Sequence, residues 1–381
     1  MILEAAAAIT FLAWLYLLLG RGGFWRFTEP RRDHRLPAVL PRIAAIVPAR
    51  QEAAVIGRSI TSLLKQQYDG PFRVYLVNDH STDGTVETAA NAAAEARCSE
   101  LLRVVHARPL PPGWSGKVWA LAEGIAAATA EFEPDALLLT DADIVHPPDN
   151  LAVLVARASA GACDLVSLMA KLQCQTFAEK ALIPAFVFFF FKLYPPAWTN
   201  DARRSTAGAA GGCILLRSSS LSSIGGIASI RGRIIDDCAL AGRLKLAGGS
   251  ICIGLCRATR SIRGYGTFRS IGQMVARSAF AQLNHSALLL AATIAGMVAL
   301  YLMPLVLLAA AAPVPALLGA VSWGMMSVAY LPAVRFYDRS FLWALTLPLA
   351  ALFYTGATIH SAVRYWTGRG GAWKGRTQDA A

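Results

Sequence analysis

The sequence predicts an α/β domain built on a mostly parallel sheet and flanked by transmembrane helices at both ends. Three observations carry this reading. Mean hydropathy is +0.45 and only 16% of residues are charged, a balance that belongs to a membrane class rather than to an ordinary soluble or disordered chain. Long apolar stretches gather at the two ends. Between them, short apolar runs alternate with segments of helical spacing, the pattern of parallel strands joined by crossover helices. The 381 residues allow two or three domain-sized units. A net charge of +12 suits nucleic acid or an anionic membrane face, and the apolar runs select the membrane. Seven Cys with no Cys-x-x-Cys pair form neither a disulfide framework nor a zinc signature, so they read as reduced thiols.

Residues 1–20 form an N-terminal anchor, apolar from Ala5 to Leu19. A basic linker, 21–40, follows with Arg21, Arg26, Arg31, Arg32 and Arg35. Positive charge after the apolar stretch is the reverse of a cleavable signal peptide, and it places the N-terminus outside and the linker in the cytoplasm. A C-terminal membrane region, 287–363, holds three stretches, Leu288 to Ala312, Ala316 to Val334 and Phe341 to Val363, each long enough to span. Pro304, Pro332 and Pro348 are expected to kink them. The basic tail, 364–381, with Arg364, Arg369, Lys374 and Arg376, prefers the inside, which conflicts with an odd number of spans unless one segment is re-entrant.

The middle, 41–286, is the predicted catalytic domain. Strands are expected at Ile43–Val47, Val74–Val77 and Leu101–His106, with helices over Glu52–Gln67 and Thr85–Arg97. Ligands of such sheets sit beyond the carboxyl ends of the strands, and three acidic motifs fall there. Asn78 to Thr85 follows a strand: Asp79 either accepts from a base or ribose or belongs to a helix cap. Asp141-Ala142-Asp143 ends the apolar run Leu137–Leu139; such triplets arise by chance roughly once or twice in a chain this acidic. Two carboxylates at a strand tip need compensation, which a hard cation with phosphate oxygens supplies; a solvated loop is the alternative. Asp236-Asp237 precedes a helical stretch, where mutual repulsion can raise one proton affinity to that of a general base, or the pair simply opens a helix.

Two further segments bear on binding. Gly208 to Cys213, including Gly211 and Gly212, has almost no side-chain bulk and admits a ligand close to backbone, or makes a tight turn. The run 180–198, with five Phe between Lys180 and Lys192 and with Tyr194 and Trp198 at headgroup level, reads as an interfacial helix, with a buried core helix as the alternative. No Gly-x-Gly-x-x-Gly follows a strand, and Gly113 to Lys117 lacks P-loop spacing. His80 and His146 adjoin acidic motifs without zinc spacing.

Together these motifs resemble family 2 glycosyltransferases of the GT-A fold. Val47-Pro48-Ala49-Arg50-Gln51-Glu52 is similar to the family's opening nucleotide-binding loop, which puts Pro48, Ala49 and Glu52 at the donor. Asp79 matches its uridine-contacting aspartate, and Gly116-Lys117 with Ala120-Leu121 its diphosphate stretch. Asp141 and Asp143 match the metal motif, with Asp143 the direct ligand of Mg²⁺ or Mn²⁺, and Asp237 stands where the family carries its base, beside Asp236. The stretches Pro111–Lys117, Thr140–Pro148, Ala207–Cys213 and Ile235–Leu240 look like the hopene-associated glycosyltransferases of bacterial hopanoid pathways. That resemblance implies a UDP- or other nucleotide-sugar donor, a hopanoid or related lipid acceptor, no nucleic-acid partner, and a multi-pass protein of the bacterial inner membrane with its catalytic domain in the cytoplasm. A polyprenyl phosphate or ceramide-like acceptor, or a non-catalytic membrane module, are the alternatives. Where processive synthases carry Gln-x-x-Arg-Trp, this chain has Met274 to Ser278, which keeps Arg277 for a phosphate but lacks the Trp, so processive synthesis is not expected.

Overall fold

A computed structural model describes residues 1–27, 29 and 35–370; Arg31 and Arg32 of the basic linker and Lys374 and Arg376 of the tail lie outside them. The described residues form two compact units, one helical (1–27, 174–197 and 264–370) and one α/β (29, 35–173 and 198–263).

The α/β unit is an eight-stranded sheet in the order β3-β2-β1-β4-β7-β6-β8-β5. Its strands are β1 (Ile43–Ala49), β2 (Phe72–Asn78), β3 (Leu102–His106), β4 (Ala136–Thr140), β5 (Ile144–Val145), β6 (Leu165–Lys171), β7 (Cys213–Arg217) and β8 (Ile251–Ser261). Strands β3-β2-β1-β4 run parallel, as expected, and so do β6 and β8. The pairs β4–β7, β7–β6 and β8–β5 are antiparallel, so the sheet is mixed rather than mostly parallel. An apolar run reads the same in either chain direction, which is why its spacing does not disclose this.

Every residue of β1 is buried, because both faces of the sheet are covered. On one face Ala45, Val47 and Leu76 pack with Ile56, Ile60 and Leu63 of the helix Ala53–Leu64. On the other, Ala44, Ile46 and Val77 pack with Val118 and Leu121 of the helix Gly116–Phe132. This is the alternation that a buried parallel strand imposes. Seven reduced thiols were expected, but Cys163 and Cys252 form a disulfide. They are 89 residues apart in sequence, yet Leu165 pairs with Ile251 and Val166 with Cys252 in the β6–β8 ladder, which brings the start of β8 beside the residues just ahead of β6, where Cys163 lies. Cys98, Cys174, Cys213, Cys238 and Cys256 form no disulfide and are thiols, as expected.

Five stretches of the described chain are long and apolar enough to cross a membrane: Ile2–Leu19, Phe177–Thr199, Ala287–Leu308, Pro313–Phe336 and Phe341–Trp366. The second contains the phenylalanine run and, at 23 residues, exceeds the length its apolar heart suggested. Within the helical unit, the Trp14 indole donates to Leu300 O at 2.7 Å and the Tyr354 hydroxyl to Leu182 O at 2.9 Å, so these segments are tied by polar side chains as well as packing. Pro348 stands in a first helical turn, where the missing N–H costs nothing, Pro304 follows a π-turn over Val298–Leu302 within the stretch Ala287–Leu308, and Pro332, like Pro184, lies inside a helix.

Candidate active site

The sheet order reverses at β1: β2 and β3 extend to one side and β4 to the other. At such a switch point the chain leaves neighbouring parallel strands in opposite directions and opens a crevice at their carboxyl ends. Pro48 from β1, Thr140 from the end of β4 and Asp141 directly after it line a pocket there, together with Lys117, Gly211, Asp236 and Asp237. The rest of its wall is apolar, including Ile227, Ile230 and Leu240.

Lys117 enters from the first turn of the helix Gly116–Phe132. Gly124 seats that helix on the sheet: a Cβ there would lie 2.6 Å from Val77 and 2.7 Å from Ile46, so only glycine permits this approach. The Lys117 ammonium is 2.8 Å from Asp141 Oδ1 and 3.2 Å from Asp236 Oδ2. Burial works against its charge, but Asp141, Asp236 and Asp237 outweigh burial and raise its proton affinity above the ordinary lysine value.

Asp236 and Asp237 open the helix Asp236–Leu246. Asp237 accepts from the Cys238 N–H at 2.7 Å through Oδ1 and from the Gly211 N–H at 2.8 Å through Oδ2. A side chain at 211 would sit 3.1 Å from that carboxylate oxygen and 3.2 Å from the Lys117 ammonium, so the small-residue loop is what lets backbone, acid and cation meet. Burial, followed by the neighbouring Asp236 charge, pushes Asp237 up to about 6, against the pull of Lys117. A carboxyl with that proton affinity is suited to take a proton near neutral pH.

A second cluster adjoins the first. Asp143 Oδ2 accepts from Ser261 Oγ at 2.8 Å and lies 3.3 Å from Arg263, which also pairs with Glu52 in the loop after β1. Burial and then Asp141 raise the proton affinity of Asp143, while Arg263 opposes them. Asp79 is buried, with its backbone carbonyl taking a bond from Arg50 Nη1 at 2.8 Å. The helix-start hydrogen bonds that competed with a ligand role go to Asp83, which accepts from the N–H groups of Ala53 and Thr85. Of the two aspartates, it is Asp83 that takes these helix-start bonds.

The Asp141–Asp143 loop is stapled from beneath by His146, which is buried. The Thr140 hydroxyl donates to Gly212 O at 2.8 Å, so it must accept from His146 Nε2–H at 2.9 Å. Nδ1 then accepts from the Asn150 amide at 3.0 Å, whose oxygen receives the Thr259 hydroxyl at 2.9 Å. Only the neutral imidazole fits this chain of donors, and burial pushes His146 down to about 3. One buried ring thus joins the acidic loop, the glycine pair and β8.

Comparison with known proteins decides the class. The family described as "Glycosyltransferase like family 2" matches residues 41–279, more than half of the chain. The chain belongs to that family. This glycosyltransferase is similar in fold to a mannosyltransferase of Pyrobaculum calidifontis solved with GDP-Man and Mn²⁺, at 20% identity and a TM-score of 0.58 over 96% of this chain and 99% of that one. A glucosyl-3-phosphoglycerate synthase of Mycobacterium tuberculosis, solved with Mn²⁺, UDP and glucosyl-3-phosphoglycerate, is 19% identical over 61% of this chain and 76% of that one, with a TM-score of 0.40. No curated protein sequence matches. The glycosyltransferase has the GT-A-like α/β fold with a mixed sheet.

Of the residues singled out from its sequence, Pro48, Lys117, Asp141, Gly211, Asp236 and Asp237 meet in the pocket of this glycosyltransferase. Glu52 and Asp143 meet at Arg263. Ala49 ends β1, Asp79 follows β2 and Gly212 precedes β7, whereas Arg277 belongs to the helical unit, directly after the helix Phe268–Ala276. Arg263 and Ser261 carried no signal in the sequence. Their one clue is position, at and just past the end of an 11-residue strand.

Proposed function

We propose that the protein is an inverting, non-processive glycosyltransferase that places one sugar on a hydroxyl of a membrane lipid. The observation that carries this reading is the half-buried Asp237, held by the Gly211 and Cys238 N–H groups at a pocket whose remaining wall is apolar. The lipid hydroxyl attacks the anomeric carbon from the face opposite the diphosphate. Its proton passes to Asp237, the new C–O bond forms, and the old bond leaves with its electron pair on the nucleotide diphosphate. That leaving group is already good, so no second carboxylic acid is required, unlike the two-carboxylate scheme of glycosidases. Asp236 and Lys117 hold Asp237 and Asp141 in register, and Arg277 is reserved for a phosphate.

The donor-side residues fit a divalent ion. Asp141 and Asp143 offer hard oxygens two residues apart at the tip of β4, and burial, then the Asp141 charge, raises the proton affinity of Asp143. Among the described residues no three His, Cys, Asp or Glu side chains converge, so an ion here completes its shell from the diphosphate and water. Bound there, Mg²⁺ or Mn²⁺ supplies neutralisation of the charge on the departing diphosphate. The Pyrobaculum calidifontis mannosyltransferase was solved with Mn²⁺, which agrees with this choice.

The resemblance of the motif stretches to hopene-associated enzymes supports a hopanoid acceptor and a UDP-sugar. Membranes containing the protein, incubated with labelled UDP-sugars and GDP-mannose, should yield one labelled lipid, identified by mass spectrometry as a hopanoid carrying a single sugar. A water-soluble or polymeric product would overturn the reading. The basic linker supports a catalytic domain on the cytoplasmic side of a bacterial inner membrane, while the Cys163–Cys252 disulfide weighs the other way, because such bonds persist in oxidising compartments. Engineered surface cysteines in the α/β unit should react with an impermeant maleimide only after permeabilisation; labelling in intact spheroplasts would place the domain outside.

A further inference from the structure

Arg263 is the residue that the reaction scheme leaves over. It follows β8 directly, and its guanidinium joins two acids that are far apart in the chain, Glu52 after β1 and Asp143 after β4. Both acids are largely buried, and Asp141 and Glu52 each bear on the charge of Asp143. Two carboxylates this poorly solvated and drawn to one point are costly without a cation between them. Arg263 supplies that cation, and its planar fork suits two carboxylates at once. Yet the oxygen it approaches, Asp143 Oδ2, belongs to the carboxylate assigned to the divalent ion. A guanidinium and a divalent cation drawing on one carboxylate repel each other.

We propose that Arg263 is a built-in counter-ion of the donor site: it neutralises Asp143 and Glu52 while no divalent ion is bound, and it gives up Asp143 when the ion binds. The inference rests on the metal reading given above. Its consequence is a coupling. The ion alone binds weakly because it must first displace Arg263, and it binds well with the nucleotide, whose diphosphate brings the negative charge that accommodates both cations.

The test is Mn²⁺ binding to the detergent-solubilised full-length protein, followed by the electron paramagnetic resonance signal of free Mn²⁺ without nucleotide. Arg263→Gln should bind Mn²⁺ about fivefold to tenfold more tightly than the wild type, the lower end of ordinary coupling between two linked events. Adding Asp143→Ala should remove that gain. UDP or GDP should tighten Mn²⁺ binding strongly in the wild type and much less in Arg263→Gln. Should Arg263→Gln not fold, Arg263→Lys keeps a charge but cannot bridge both acids, and a gain of about threefold is expected. Equal or weaker Mn²⁺ binding by these variants, with Asp143 still required in the wild type, would overturn the counter-ion role and leave the metal reading standing. If no form binds Mn²⁺ with or without nucleotide, the metal reading falls and this inference falls with it.

Discussion

Asp237→Asn should lower turnover by about 10²- to 10⁴-fold, equivalent to roughly 3 to 5 kcal/mol of barrier, while nucleotide affinity changes only a few-fold. The amide keeps the shape and can still accept from Gly211 N–H, but it cannot take a proton. The pH profile carries the same assignment. Asp237 is pushed up to about 6, so kcat/KM should rise with pH through that value and then level. Asp236→Asn removes one of the two causes of the upward shift, and its profile should have the rising limb at lower pH. Stability runs in the opposite sense. An unfolded Asp ionises near its ordinary value of 3.8, so the folded protein, which holds its proton more tightly, loses stability as pH rises from there through about 6. Asp237→Asn should therefore melt at a higher temperature than the wild type at pH 8 while being nearly inactive. Near-normal turnover, or a loss confined to nucleotide binding, would move the base elsewhere.

Asp143→Ala should reduce turnover by at least about 10³-fold and leave the chain folded in the membrane, because charge on the departing diphosphate would lose its compensating cation. Nucleotide binding, measured by calorimetry with and without Mg²⁺, should become independent of the ion. The alanine also strips Arg263 and Ser261 of an acceptor, so a circular-dichroism melt must accompany the kinetics to separate lost chemistry from lost packing. Full activity of the wild type in excess chelator would reject the metal role outright.

Much of the site was legible in the sequence because its parts are local. Asp79 and the Asp141–Asp143 triplet stand directly after apolar runs, and those runs are β2 and β4. Asp236 and Asp237 precede a segment of helical spacing and do open a helix. The unbroken apolar run of β1 and the i, i+4 recurrence of Ile56 and Ile60 report a strand covered on both faces and a helix packed on one of them, since side-chain direction is fixed by backbone geometry over a few residues.

What the sequence by itself determined is thus the class of fold, the apolar ends, the strand tips and the acids carried on them. Tertiary structure alone decided which of those acids share a cation. Lys117 binds Asp141 and Asp236, Arg263 spans 211 residues to reach Glu52, and Cys163 finds Cys252 across 89. It also decided that β7 runs antiparallel between β4 and β6, and that the imidazole of His146 closes the acidic loop. The reason is the range of the forces recorded in each. Hydrophobic spacing is written over one or two turns of backbone, whereas ion pairs, disulfides and strand neighbours form between side chains that only the closed sheet brings within reach.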